Sequence, residues 1–182
     1  MKKFVPSVTR ILKDLGYIDL SGIPIEALET KRELGISVHD LCARLARGQK
    51  IDLEQFQGPL RDRAERFIWW MDFTKAKVLA SEYRIHNSSC TGKPDLIVEI
   101  AQFRWIIDIK PTFRLWHRLQ LAAYSDIAET EFGTTFRAVL ELDARRHPRQ
   151  VSCFEESDFD EWRRCIGSWY WRYRNGLIKV EK

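Results

Sequence analysis

Pro94-Asp95-Leu96-Ile97-Val98-Glu99-Ile100-Ala101-Gln102-Phe103-Arg104-Trp105-Ile106-Ile107-Asp108-Ile109-Lys110 holds two short runs of aliphatic, β-branched and aromatic residues, Asp95–Ile100 and Arg104–Lys110, the second closed by Pro111. Runs of this length and composition read as strands, and their closeness reads as a hairpin. Side chains alternate faces along a strand, so Asp108 and Lys110 project together while Ile107 and Ile109 turn to the opposite, packed face. Asp95 offers a second carboxylate from the preceding strand. Charges embedded in apolar runs are costly unless they serve something, which marks these three residues as candidates for chemistry. The spacing alone is common: Glu29-Thr30-Lys31 has it with no such context.

Outward from this hairpin, Val78–Ile85 predicts a strand, followed by a turn-rich stretch from Asn87 to Lys93. Leu115–Glu129 predicts a helix, Phe136–Leu142 and Gln150–Phe154 two more strands, and Ser157–Tyr173 a final amphipathic helix. Upstream the period is helical. Ser7 caps a helix carrying Val8, Ile11, Leu12 and Leu15, which Gly16 ends. Thr30 and Glu33 have capping-box spacing before Leu34, Val38, Leu41 and Leu45. Pro59 sits at a first helical position ahead of Leu60, Ala64, Phe67, Ile68 and Met71. The expectation is an α/β fold with a mixed central β-sheet flanked by helices, in one domain over 1–182. Its helical part covers about 1–77, its sheet core about 78–154 and its C-terminal helix about 157–174.

The chain of 182 residues is long enough for one well-packed core and short for two. No run approaches the roughly 20 apolar residues of a membrane span, so no membrane partner is expected and the location expected is the cytoplasm. Cys42, Cys90, Cys153 and Cys165 stand far apart with no C-x-x-C pair, so neither a zinc site nor an iron–sulfur cluster is signalled. A net charge of +4 suits a polyanionic partner without requiring one. No G-x-x-x-x-G-K-[ST] motif is present, so a motor would be a separate chain.

Acid and amine side by side suit phosphodiester hydrolysis, in which carboxylates hold Mg²⁺ or Mn²⁺ against the phosphate and a lysine assists the water or steadies developing charge. At these residues the sequence resembles the PD-(D/E)XK nuclease superfamily, and most closely its RecB-like and phage exonuclease branch. Pro94-Asp95 is similar to the PD element, Asp108-Ile109-Lys110 to the D-x-K element, and Gln120-Leu121-Ala122-Ala123-Tyr124 to the Q-x-x-x-Y motif of that branch. Gly35-Ile36-Ser37-Val38-His39 resembles the helix that supplies a histidine metal ligand, Glu82 the additional acid, and Pro6-Ser7-Val8-Thr9 with Ile11-Leu12 the start of phage members. The match runs from about residue 6 to 124 and lapses beyond.

The resemblance implies a restriction-endonuclease-like core and a metal-dependent deoxyribonuclease, an exonuclease of recombination, replication or repair in a bacterial or phage-infected cell. It implies one or two Mg²⁺ or Mn²⁺ ions held by His39, Asp95, Asp108 and the Ile109 carbonyl, with Lys110 assisting the water, Glu82 completing the set and Gln120 and Tyr124 supporting it. No iron–sulfur cluster is expected. DNA is the implied partner, with a single-strand-binding or annealing protein and further copies of the same chain as candidates beside it. A structure-specific or restriction-type endonuclease, and a non-catalytic DNA-binding module on the same fold, are the competing readings.

Each residue also has a plainer reading. His39 fits the solvated side of an amphipathic helix, Glu82 a strand-edge acid with Glu65 as its rival, and Gln120 and Tyr124 an ordinary helix face packed on the sheet. His86, His117 and His147 read as surface or structural. In the last helix Trp162, Ile166, Trp169 and Tyr173 recur at core spacing, which leaves Arg163, Arg164, Arg172 and Arg174 outside as phosphate contacts at most. Arg145-Arg146-His147-Pro148-Arg149 reads as a solvated loop.

Overall fold

A computed structural model of the chain describes residues 4–19, 21–22, 24–142 and 147–179. Helix α1 (Val8–Asp14) begins where expected, with the Ser7 hydroxyl accepting the Arg10 N–H at 3.2 Å. Helix α2 (Ile25–Ala46) starts earlier than the Thr30–Glu33 pair suggests. Pro24 fixes the entry, and Thr30, already inside the helix, bonds its hydroxyl back to the Glu26 carbonyl. Helix α3 (Gly58–Thr74) carries Pro59 in its first turn, as anticipated.

The expected strand Val78–Ile85 is two strands. β1 (Lys77–Ser81) ends at Glu82, whose backbone is left-handed at φ 52°, and the chain resumes as β2 (Ile85–His86), which pairs with β3 (Thr91–Gly92). β4 (Leu96–Ile100) and β5 (Phe103–Lys110) form the hairpin read from the sequence. α4 (Leu115–Phe132) then crosses over to β6 (Phe136–Glu141), parallel to β5, and β7 (Arg149–Ser152) and α5 (Ser157–Arg174) close the fold. The sheet order is β1-β4-β5-β6-β7, mixed and mainly antiparallel. No helix among the described residues is long and apolar enough to cross a membrane.

Both sheet faces are covered. Ile97, Ile106 and Val139 pack under α1, α4 and α5, while Leu96, Val98, Ile107, Ile109, Ala138 and Leu140 meet α2 and α3. Fully burying one such side chain contributes about 1.5–3 kcal/mol. In α5, Trp162 and Trp169 are buried and Ile166 and Tyr173 half-buried, with the four arginines outside. The stripe is core, tied to α1 where the Trp169 indole N–H donates to Asp14 at 2.9 Å. His117 is buried and structural: its Nδ1 accepts the Arg114 N–H at 2.8 Å, and burial pushes its pKa down to about 4, which keeps it a neutral acceptor. His86 is exposed, and His147 lies beside the Trp69 ring. Arg145 and Arg146 lie outside the described residues, and Arg149 is engaged by Glu141 at 2.7 Å.

The β4–β5 turn has just two residues, because Ile100 pairs with Phe103, and both Ala101 (φ 49°) and Gln102 (φ 70°) are left-handed. That geometry is the type I′ hairpin turn, which Asn-Gly adopts without strain and Ala-Gln does not. Replacing Ala101 by Asn together with Gln102 by Gly is expected to add about 1 kcal/mol, raising Tm by about 2–4 °C in a chain of this size. The turn lies at the far end of the sheet from Asp108, so scanning calorimetry should show the gain with the surroundings of Asp108 unchanged.

Candidate active site

Three neighbouring strands end on the same rung. Ser81 pairs with Leu96, and Leu96 with Ile107, so Glu82, Asp95 and Asp108 are the next residues on β1, β4 and β5. The Glu82 N–H continues the ladder to the Asp95 carbonyl at 2.9 Å. A one-residue bulge at Leu79 sets this register, since Val78 faces Val98 but Ala80 faces Ile97. Without it Ser81 would stand opposite Asp95, and Glu82 would move one step on with its side chain turned to the other face.

His39 comes from α2 and reaches round the end of the sheet. Its Nδ1 lies 2.8 Å from Asp95 Oδ1, while Asp95 Oδ2 accepts the Ile109 N–H at 2.6 Å. Ligand atoms of His39, Glu82 and Asp95 all lie within 4.8 Å of one another. Burial pushes the His39 pKa down, but the charge and hydrogen bond of Asp95 outweigh it and the net shift is upward. The Lys110 carbonyl accepts the Leu142 N–H on the β6 side, so the Ile109 backbone groups, one residue earlier, face the β4 side beside Asp95.

Asp108 is 2 % exposed, and its Oδ2 lies 2.6 Å from Lys110 Nζ. The contact is a buried ion pair, and Lys110 is the partner that holds Oδ2. Burial drives the Asp108 carboxyl up to about 6, with the Lys110 charge opposing and the Asp95 charge assisting. For Lys110 burial lowers the pKa, but Asp108 and Asp95 prevail and raise it.

On α4, the Gln120 amide donates to the Tyr124 hydroxyl at 2.9 Å, and both residues are buried. Burial, then the charges of Asp108 and Asp95, raise the Tyr124 pKa. One edge of its ring lies against Gly92, where a Cβ would stand 2.7 Å from Tyr124 Cδ1. Glu65, the rival acid, is held on the outer side of α3 by Arg61 at 2.8 Å and takes no part.

Thr9, from the Pro6–Thr9 motif, has its hydroxyl 3.5 Å from the Gln120 amide, and two residues here escaped the sequence reading: Gly92 and Lys93. The Lys93 ammonium is in direct ion-pair contact with the Glu82 carboxylate. Lys93 also lines two cavities, one of about 600 Å³ with Arg32, Arg47, His39, Glu82 and Asp95, and one of about 680 Å³ with Thr9, Arg10, Arg84, Gly92 and Tyr124. Its position in Gly92-Lys93-Pro94-Asp95 was the available signal. The four cysteines are free and buried in the cores.

No protein-family model matches the sequence, and no curated protein matches it. Among solved structures, the chain is similar to an alkaline exonuclease from Laribacter hongkongensis, with 11% identity over 95% of this chain and 89% of that one and a TM-score of 0.49. It is also similar to a structure described as a candidate exonuclease from Eubacterium rectale, with 12% identity over 80% of this chain and 69% of that one and a TM-score of 0.46.

Proposed function

We propose that this chain is a single-domain, divalent-metal-dependent nuclease that hydrolyses phosphodiester bonds in DNA, acting as an exonuclease. The observation that carries the reading is the rung of Glu82, Asp95 and Asp108, with His39 brought to Asp95 and Lys110 paired to Asp108. Oxygen donors with one imidazole, gathered within 4.8 Å of one another at His39, Glu82 and Asp95, suit Mg²⁺ or Mn²⁺. His39, Glu82, Asp95, Asp108 and the Ile109 carbonyl are the groups that would hold it.

When bound, a divalent ion supplies positive charge against the phosphate and lowers the pKa of water. Asp95 orients the site, since one oxygen fixes His39 and the other grips the β5 backbone. Lys110 keeps its proton, so it serves as a hydrogen-bond donor that orients the attacking water or steadies charge on the phosphate, and not as the base. Gln120 and Tyr124 are positioning residues, buried in the helix that roofs the acids. Arg10, Arg84, Arg32 and Arg47 along the two cavities suit a phosphate backbone. A role in recombination, replication or repair follows the motif resemblance, as do the cytoplasmic setting of a bacterial or phage-infected cell and the further partners it implies.

Digestion of linear and covalently closed circular DNA, single- and double-stranded, with Mg²⁺, Mn²⁺ or EDTA tests this. Metal-dependent loss of linear DNA alone is the expected result. Attack on circles would make the protein an endonuclease, and DNA binding with no cutting under either metal would make it a binding module.

The His39 shift sets a pH dependence. A proton on the imidazole excludes the ion, and because the folded pKa is raised above 6.5, the competition extends above that pH. Mn²⁺ affinity measured by calorimetry is therefore expected to rise from pH 6 to 8, and His39→Gln should be weaker throughout with a flatter profile. An unchanged slope in His39→Gln would remove His39 from the ligand set.

A further inference from the structure

Two ammonium groups stand among the three acids, and they are held very differently. Lys110 is 18 % exposed and lies against a buried carboxylate, so it has nowhere to go. Lys93 is 55 % exposed and, among the described residues, ion-pairs with Glu82, itself one of the three groups whose ligand atoms cluster. Lys93 sits on Glu82 Oε2, so a divalent ion that takes this oxygen sets its two charges against the ammonium and drives it off. With His39 neutral, Glu82, Asp95 and Asp108 against Lys93 and Lys110 leave the metal-free rung with one net negative charge. A divalent ion reverses that to one net positive charge, which favours a phosphodiester.

We infer that Lys93 is a resident counter-ion of Glu82 that the incoming divalent ion displaces, and that the released ammonium turns into the neighbouring cavity to grip the DNA backbone. Its flexible four-carbon stem permits the move, and the larger cavity, with Arg10 and Arg84, lies on its other side. Lys93 thus lowers metal affinity in the free protein and raises DNA affinity in the loaded one. These effects have opposite signs, which a merely structural lysine would not produce.

The inference rests on the metal reading above, and the test separates the two. Mn²⁺ binding is measured by calorimetry on the parent, Lys93→Met, Glu82→Gln and the double variant. Lys93→Met is expected to bind Mn²⁺ about twofold to fivefold more tightly, the scale of a half-exposed ion pair. In the Glu82→Gln background the same substitution should change nothing, because the competition runs through that carboxylate. An equal gain in both backgrounds would mean general charge repulsion and overturn the inference, as would no gain in the first. If the parent shows no Mn²⁺ binding that Asp95→Asn removes, the metal reading itself falls. In a second arm, single-stranded oligonucleotide binding is followed with Ca²⁺ or with EDTA. Lys93→Met should weaken it about threefold or more in Ca²⁺ and leave it unchanged in EDTA, and equal weakening in both would overturn the handover.

Discussion

Replacing Asp108 by asparagine is expected to lower DNA cleavage by about 10³-fold or more and, in EDTA at pH 7.5, to raise the melting temperature. The two effects share one cause. Asp108 is buried beside Asp95, and its folded pKa of about 6 stands above the ordinary 3.8. The folded state therefore holds this proton more firmly than the unfolded chain. The stability this supplies is complete below about pH 4 and is lost as pH rises through about 6. At neutral pH the charged carboxylate is a standing cost that asparagine removes. The difference in Tm between variant and parent should grow from pH 5 to 7.5 by scanning calorimetry. Saturating Mn²⁺ should reverse the ranking, because an ion that binds only the folded parent stabilises it by mass action. A variant that melts lower than the parent at every pH would contradict this account of the site.

Gly92→Ala carries the second large effect. The added Cβ would stand 2.7 and 2.8 Å from two ring carbons of Tyr124 and 3.2 Å from Ile85 Cγ1. The tyrosine cannot swing aside, because its hydroxyl is bonded to Gln120 and its ring is buried. Overpacking of this kind costs about 1–3 kcal/mol, which lowers Tm by about 2–12 °C here. A displacement of Tyr124 by an ångström above the acids is expected to cost about 10²-fold in cleavage. Adding Tyr124→Leu should restore most of the lost stability by vacating the contact, while cleavage stays low. If Gly92→Ala melts and cuts like the parent, the ring does not need its present seat.

The order of elements was legible because their periods are strong. β4 and β5 are runs of large apolar residues, and α1, α3 and α5 carry buried residues at helical spacing. Asp108 and Lys110 could be put on one face by strand alternation alone. Glu82 could not, because its place on the rung depends on the bulge at Leu79, and nothing in Val78-Leu79-Ala80 marks a bulge. The tight turn at Ala101–Gln102 lacks the Asn or Gly that announces such turns, and the β4–β5 pairing, which closes at Ile100 and Phe103, leaves two residues to make it. The start of α2 was misplaced because a capping-box spacing inside a helix looks the same as one at its end. Lys93 and Gly92 were passed over because their importance comes from what the fold sets beside them.

Glu82 adopts a left-handed backbone that most side chains avoid, at the point where β1 must release its carboxylate toward the rung. For a laboratory population under selection this makes heat and activity opposing pressures. A library ranked by thermal survival alone would enrich asparagine or glycine at 82 and a neutral residue at 108, and its winners would be robust proteins that no longer cut. Screens on this chain should therefore score turnover and melting together from the first round.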